Sequence, residues 1–101
     1  MSKAEAEATI CNRLGMHARA TARFVKEAEK YQSRITVNRV PVPAGQEDVS
    51  ARSILGLMIL AAEQGSCIRI VAQGQDAQEA VDALAAMVEN GFGELGDDHS
   101  G

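Results

Sequence analysis

Along this chain the apolar residues alternate between a period of two and a helical period, and most changes of period fall beside a glycine or a helix-capping residue. Residues 6–13 read as a first strand, with Ala8 and Ile10 facing a core and Thr9 and Cys11 on the other side. Gly15 interrupts, and from Ala18 the positions Ala20, Phe24, Val25, Ala28 and Tyr31 take helical spacing over residues 18–31. Residues 33–40 read as a second strand with Ile35 and Val37 inward. Pro41, Pro43 and Gly45 forbid a regular central strand after it, so the chain makes a loop or extended hairpin connection, closed by a short strand over 48–50.

A second helix starts after Ser50 or Ser53, either of which is a reasonable cap, and runs to about residue 63. Its core face is expected to be Ile54, Leu57, Met58 and Ala61. Leu55 and Ile59 leave more apolar surface than one buried stripe needs, which is either further core contact or an exposed patch for a partner. Gly65 ends this helix. Residues 66–73 form the last strand, with Ile68, Ile70 and Ala72 on one face and Cys67, Arg69 and Val71 on the other. Asp76 is expected to cap a third helix, with Glu79 completing a capping box, and that helix carries Ala80, Val81, Leu84, Met87 and Val88 up to Gly91. The tail from Gly93, with Asp97, Asp98 and His99, is expected to be disordered, and His99 is assigned nothing.

The order βαββαβα predicts an α+β open-faced β-sandwich. A four-stranded, mostly antiparallel sheet is covered on one face by three helices, because the helices alone carry matching apolar stripes. With 101 residues, one domain over 1–94 and a disordered tail over 95–101 are expected. The chain is 46% apolar but only 3% aromatic, so its core must be built from Ala, Val, Ile, Leu and Met. A net charge of −4 argues against nucleic-acid binding, although Arg13, Arg19 and Arg23 make a local basic patch that suits an acidic partner surface. The first residues have no signal-peptide pattern, and the longest apolar run, 54–62, is too short to span a membrane, so a cytoplasmic protein is expected. Cys11 and Cys67 lie in expected strands without metal-type spacing and read as reduced, half-buried thiols. No metal site and no cofactor is expected.

The stretch with the most chemistry is Leu14-Gly15-Met16-His17-Ala18-Arg19-Ala20. It places His17 at or just before the first turn of a helix. There the unpaired backbone N–H groups and the helix dipole favour an anion such as phosphate. A ring nitrogen at that point is an available nucleophile, and Arg19 supplies a guanidinium matched to phosphate. The plainer reading is a surface histidine beside a helix start.

Leu14-Gly15-Met16-His17-Ala18-Arg19 followed by a helix resembles the active-site motif of the HPr phosphocarrier proteins of the bacterial phosphotransferase system. Two further segments match in register. Ser50-Ala51-Arg52-Ser53-Ile54-Leu55-Gly56-Leu57-Met58 is similar to the serine-containing segment at the start of that family's second helix, and Gly65 through Asp76 is similar to its last strand and Gly-x-Asp turn. Gly91-Phe92-Gly93-Glu94 is similar to family C-termini, so the likeness covers residues 6–94. The resemblance implies that phospho-enzyme I, charged by phosphoenolpyruvate, passes its phosphoryl group to Nδ1 of His17, and that His17 passes it to a histidine on a IIA domain. It implies a carrier rather than a turnover enzyme, with Arg19 and the Ala18 N–H stabilising the phosphoryl oxygens. It maps Ala20, Arg23, Ile54, Leu55 and Met58 to the surface that docks both partners. It also maps Ser53 to the serine modified by HPr kinase/phosphorylase, although Ser53 could simply cap its helix. A monomer is the default.

Two departures from the family pattern stand out. Ala20 replaces the usual proline, which leaves the His17 loop less constrained, and the segment 40–48 is longer and richer in proline than the usual hairpin. Of the family's sugar and nitrogen branches, Leu14-Gly15-Met16-His17 and Asn90-Gly91-Phe92 lean to the nitrogen branch and Ser53-Ile54-Leu55-Gly56 to the sugar branch. Two other classes remain open. One is a regulatory module that docks without obligatory transfer. The other is a small ligand-binding domain of related layout, which would have no use for an exposed histidine at a helix start.

Overall fold

In the computed structural model of the chain, which describes residues 2–42, 44–60 and 62–94, alternating strands put their small and branched residues on one side of a sheet and leave charged residues on the other. The elements are β1 (Lys3–Thr9), α1 (Ala18–Ala28), β2 (Arg34–Val40), β3 (Val49–Ser50), α2 (Ile54–Leu60), β4 (Cys67–Gln73) and α3 (Ala77–Glu89), followed by a 3-10 turn at Gly91–Gly93. The sheet order is β1-β4-β2-β3 and every pairing is antiparallel. This is the expected α+β open-faced sandwich.

Register explains which face is covered. Ala6, Ile70 and Val37 lie in one row across β1, β4 and β2, and Ala4, Ala72 and Ile35 in another. Ile35, Val37, Ile68 and Ile70 are buried. Against them α3 lies over β1 and β4, and α2 packs beside β2 and β3. Helix α1 packs on both of these helices with Ala20, Phe24, Val25 and Ala28 turned inward. On the opposite face the row Glu7, Arg69 and Asn38 is polar. The Glu7–Arg69 ion pair there, at 3.2 Å between exposed side chains, contributes at most about 1 kcal/mol. No helix among the described residues is long and apolar enough to cross a membrane.

Several expectations are corrected. β1 begins three residues earlier than expected and ends at Thr9, so Cys11 is not in a strand. The lysine and glutamates of its first half fit because they alternate with Ala4 and Ala6 and point to the polar face. The inward face of α2 is Leu57 and Leu60, and Ile54 and Met58 are exposed. Gly56 accounts for the difference. A Cβ there would meet Val49 Cγ1 at 2.6 Å, so the helix lies against β3 through its glycine and its stripe is rotated. Ala61, Pro43 and the tail residues 95–101, with Asp97, Asp98 and His99, lie outside the described residues. Gly93 and Glu94 belong to the fold and not to a tail, since Glu94 is buried.

Asp76 precedes α3 but makes no side-chain cap. Its carboxylate instead accepts the backbone N–H of Gln32 and Ser33, both at 2.9 Å, and the Ser33 hydroxyl. It therefore ties the α1–β2 loop to the start of α3. Arg52 makes a second tie by donating to the carbonyls of Ala28 and Ser33 at 3.2 and 3.3 Å and to that of Tyr31. The positive charge sits where the carbonyl end of α1 is negative.

Candidate functional site

The site is built by a loop that only glycine permits. Gly15 has φ of 64°, and a Cβ there would lie 2.7 Å from the Ala62 carbonyl oxygen. The Met16 N–H donates to that same carbonyl at 3.0 Å, and the Thr21 hydroxyl donates to the Met16 carbonyl at 3.0 Å. The loop is thus held from the connection after α2 and from the first turn of α1, and it delivers His17 to the N-cap of α1 with extended backbone.

The two ring nitrogens of His17 have different partners. Nδ1 accepts the Arg19 N–H at 3.2 Å. Nε2 lies 2.5 Å from Glu94 Oε2. A nitrogen that accepts a hydrogen bond carries no proton, so the neutral ring holds its proton on Nε2 and donates it to the carboxylate. The side chain of His17 is 26% exposed while that of Glu94 is 7% exposed. The ring is therefore partly open to solvent, and the carboxylate on its Nε2 side is buried in the fold. The first turn of α1 contains no acidic residue to compete for its N–H groups.

Reading the sequence placed Glu94 in a family-like C-terminal segment and gave it no part in the site. Glu94 reaches His17 through the 3-10 turn, where Gly91, Phe92 and Gly93 all have positive φ. Phe92 is not glycine, and its left-handed φ of 56° is held by a buried ring and by Arg23, whose Nη1 donates to the Phe92 carbonyl at 2.6 Å. Asn12, wholly buried, donates through Nδ2 to the Gly15 carbonyl at 2.9 Å and to Glu94 Oε1 at 2.8 Å. A glutamate three residues after an Asn-Gly pair gave no local signal, because its meaning lies in a partner at the other end of the chain.

The other named residues divide. Ala18 and Arg19 are exposed in the first turn of α1, and the Arg19 guanidinium makes no ion pair among the described residues. Ala20 is fully buried, so it cannot itself touch a partner as expected, because that face of α1 turns into the core. Arg23 is exposed but committed to the Phe92 carbonyl. Ser53 caps α2: its hydroxyl accepts the Gly56 N–H at 2.9 Å and its carbonyl the Leu57 N–H at 3.0 Å. Ser50 serves the preceding turn, its hydroxyl accepting the Arg52 N–H. Ile54, Leu55, Met58 and Ile59 on α2 and Leu14 before His17 are the large exposed apolar side chains of this region, which selects the patch over further core contact.

Known proteins match this arrangement over most of its length. A family model described as "PTS HPr component phosphorylation site" matches residues 4–90. The phosphocarrier protein HPr of Xylella fastidiosa is 46% identical over 90 residues, which are 89% of this chain and 96% of that protein. The phosphocarrier protein NPr of Shewanella violacea is 39% identical over 94 residues, 93% of this chain and 98% of that protein. Among solved structures, HPr-C-His from Thermoanaerobacter tengcongensis superposes with a TM-score of 0.79 at 38% identity, covering 90% of this chain and 97% of that one.

Proposed function

The chain belongs to the HPr family of phosphotransferase-system phosphocarriers, and on that footing we propose that His17 accepts a phosphoryl group from phospho-enzyme I and donates it to a histidine of a IIA domain. The observation that carries this reading is the unprotonated Nδ1 at the N-terminus of α1, on a partly exposed ring and held only by the Arg19 N–H at 3.2 Å. Nδ1 attacks phosphorus as the bond to the donor breaks. The Arg19 N–H, released from Nδ1, and its neighbour at Ala18 then turn to the phosphoryl oxygens, and the Arg19 guanidinium offsets their charge. Phosphoryl transfer asks for little more than such positioning and charge stabilisation. The hold stays modest, as a carrier requires, because these are exposed donors in competition with water.

Both partners must reach the same nitrogen, so both use the apolar surface beside it. Ile54, Leu55 and Met58 provide that surface, with Arg19 as the charged contact. Ser53 lies at its edge, capping α2. A phosphate there would put about two negative charges into the patch and repel enzyme I, which fits a substrate of an HPr kinase/phosphorylase. A second reading, a nitrogen-branch regulator that acts mainly by docking, draws on the likeness to the Shewanella violacea NPr.

Incubation with enzyme I and phosphoenolpyruvate tests the reading. One acid-labile phosphate is expected on intact mass, transferable to a IIA domain and absent from His17→Ala. Phosphate that persists in His17→Ala overturns the assignment of the acceptor, and phosphate that no IIA domain removes favours the regulator.

A further inference from the structure

Glu94 is a buried carboxylate with an incomplete set of partners. Asn12 supplies a neutral donor to Oε1 and the His17 ring a neutral N–H to Oε2. Among the described residues no lysine or arginine forms an ion pair with it. A desolvated negative charge that faces only neutral groups is costly. Asn12 adds a cost of its own. Its Nδ2 serves two acceptors, Glu94 Oε1 and the Gly15 carbonyl, so the amide cannot flip without setting oxygen against oxygen, and its Oδ1 is left buried with no partner. The fold thus accepts two unfavourable burials in order to hold one carboxylate oxygen against Nε2.

The event that makes this arrangement favourable is a positive charge on the ring. When Nδ1 forms its bond to phosphorus while Nε2 keeps its proton, both nitrogens are substituted and the imidazole becomes a cation. When the N–P bond breaks, its electron pair returns to Nδ1 and the ring is neutral again with its proton unmoved. Building on the reading of His17 as the phosphoryl acceptor, we infer that Glu94, aligned by Asn12, is the built-in counter-charge of the phosphorylated His17 ring, so that the group is taken up and given away without any proton transfer. Both are positioning residues. They act through Nε2, since the Glu94 side chain is only 7% exposed and Asn12 is wholly buried.

Nitrogen-15 NMR of the His17 ring, in the resting protein and after phosphorylation by enzyme I and phosphoenolpyruvate, tests this in the wild type, Glu94→Gln and Asn12→Ala. In the resting wild type the proton is expected on Nε2 alone, and a ring protonated on Nδ1 overturns the inference without any variant. After phosphorylation at neutral pH the wild-type ring is expected to keep its Nε2 proton. Glu94→Gln preserves the shape and removes the charge, so its phosphorylated ring should lose that proton, and donation to a IIA domain should slow about tenfold. Asn12→Ala should shift both readouts the same way by less. A phosphorylated Glu94→Gln with wild-type ring signals and donation rate reduces Glu94 to a structural residue and overturns this inference alone. A wild type that takes no phosphate on His17 removes the carrier reading, and this inference with it.

Discussion

Gly15 is required twice over, by its left-handed backbone and by the approach of Ala62. Gly15→Ala must bear the left-handed penalty of about 1–2 kcal/mol and must also push the loop off the Ala62 carbonyl. The urea midpoint should fall by more than the backbone penalty alone, and phosphorylation of His17 should slow with it, since the loop that sets His17 moves. The turn at Gly15 was legible in the sequence. Its second reason was not, because the atom that forbids a Cβ belongs to the connection that follows another helix. The same holds for Glu94. Local pattern named the histidine and its helix, and only the folded chain could show which distant side chain fills the space behind the ring.

Helix α2 is seven residues long and depends on its start. Ser53→Ala removes the hydroxyl that accepts the Gly56 N–H and should cost about 1 kcal/mol, seen as faster hydrogen exchange at Gly56. Ser53→Asp restores an acceptor and should recover that protection while slowing phosphorylation by enzyme I, which separates the capping role from the docking role. The sequence left Ser50 and Ser53 as rival caps, and both are used, one for the turn and one for the helix. The periodicity of α2 misled because all its residues but Gly56 are large and apolar. A helical wheel cannot choose a face when only one position lacks a Cβ and packing selects the side that this position opens. The Asp76 capping box failed for a related reason. An aspartate before a helix has the right local spacing, but the N–H groups of Gln32 and Ser33 compete for it across the fold.

At the scale of the molecule, the order of elements and the covered face followed from periodicity, whereas the ties between turns did not. The tie at Asp76 is testable by pH. The Ser33 hydroxyl, followed by the backbone N–H of Gln32, holds the Asp76 carboxyl below its ordinary value of 3.8. A carboxyl lowered in the folded state stabilises fully above its unfolded value and loses that contribution as pH falls through the lowered one. The excess in urea midpoint of wild type over Asp76→Asn should therefore be constant above the ordinary carboxyl range and shrink as pH falls below 3.8. The contact between His17 and Glu94 joins the two ends of the described fold. Trimming of the last turn, Gly91–Gly93 with Glu94, would therefore leave His17, its helix and the apolar patch in place while removing the carboxylate behind the ring, so that damage near one end of the fold is felt as chemistry near the other.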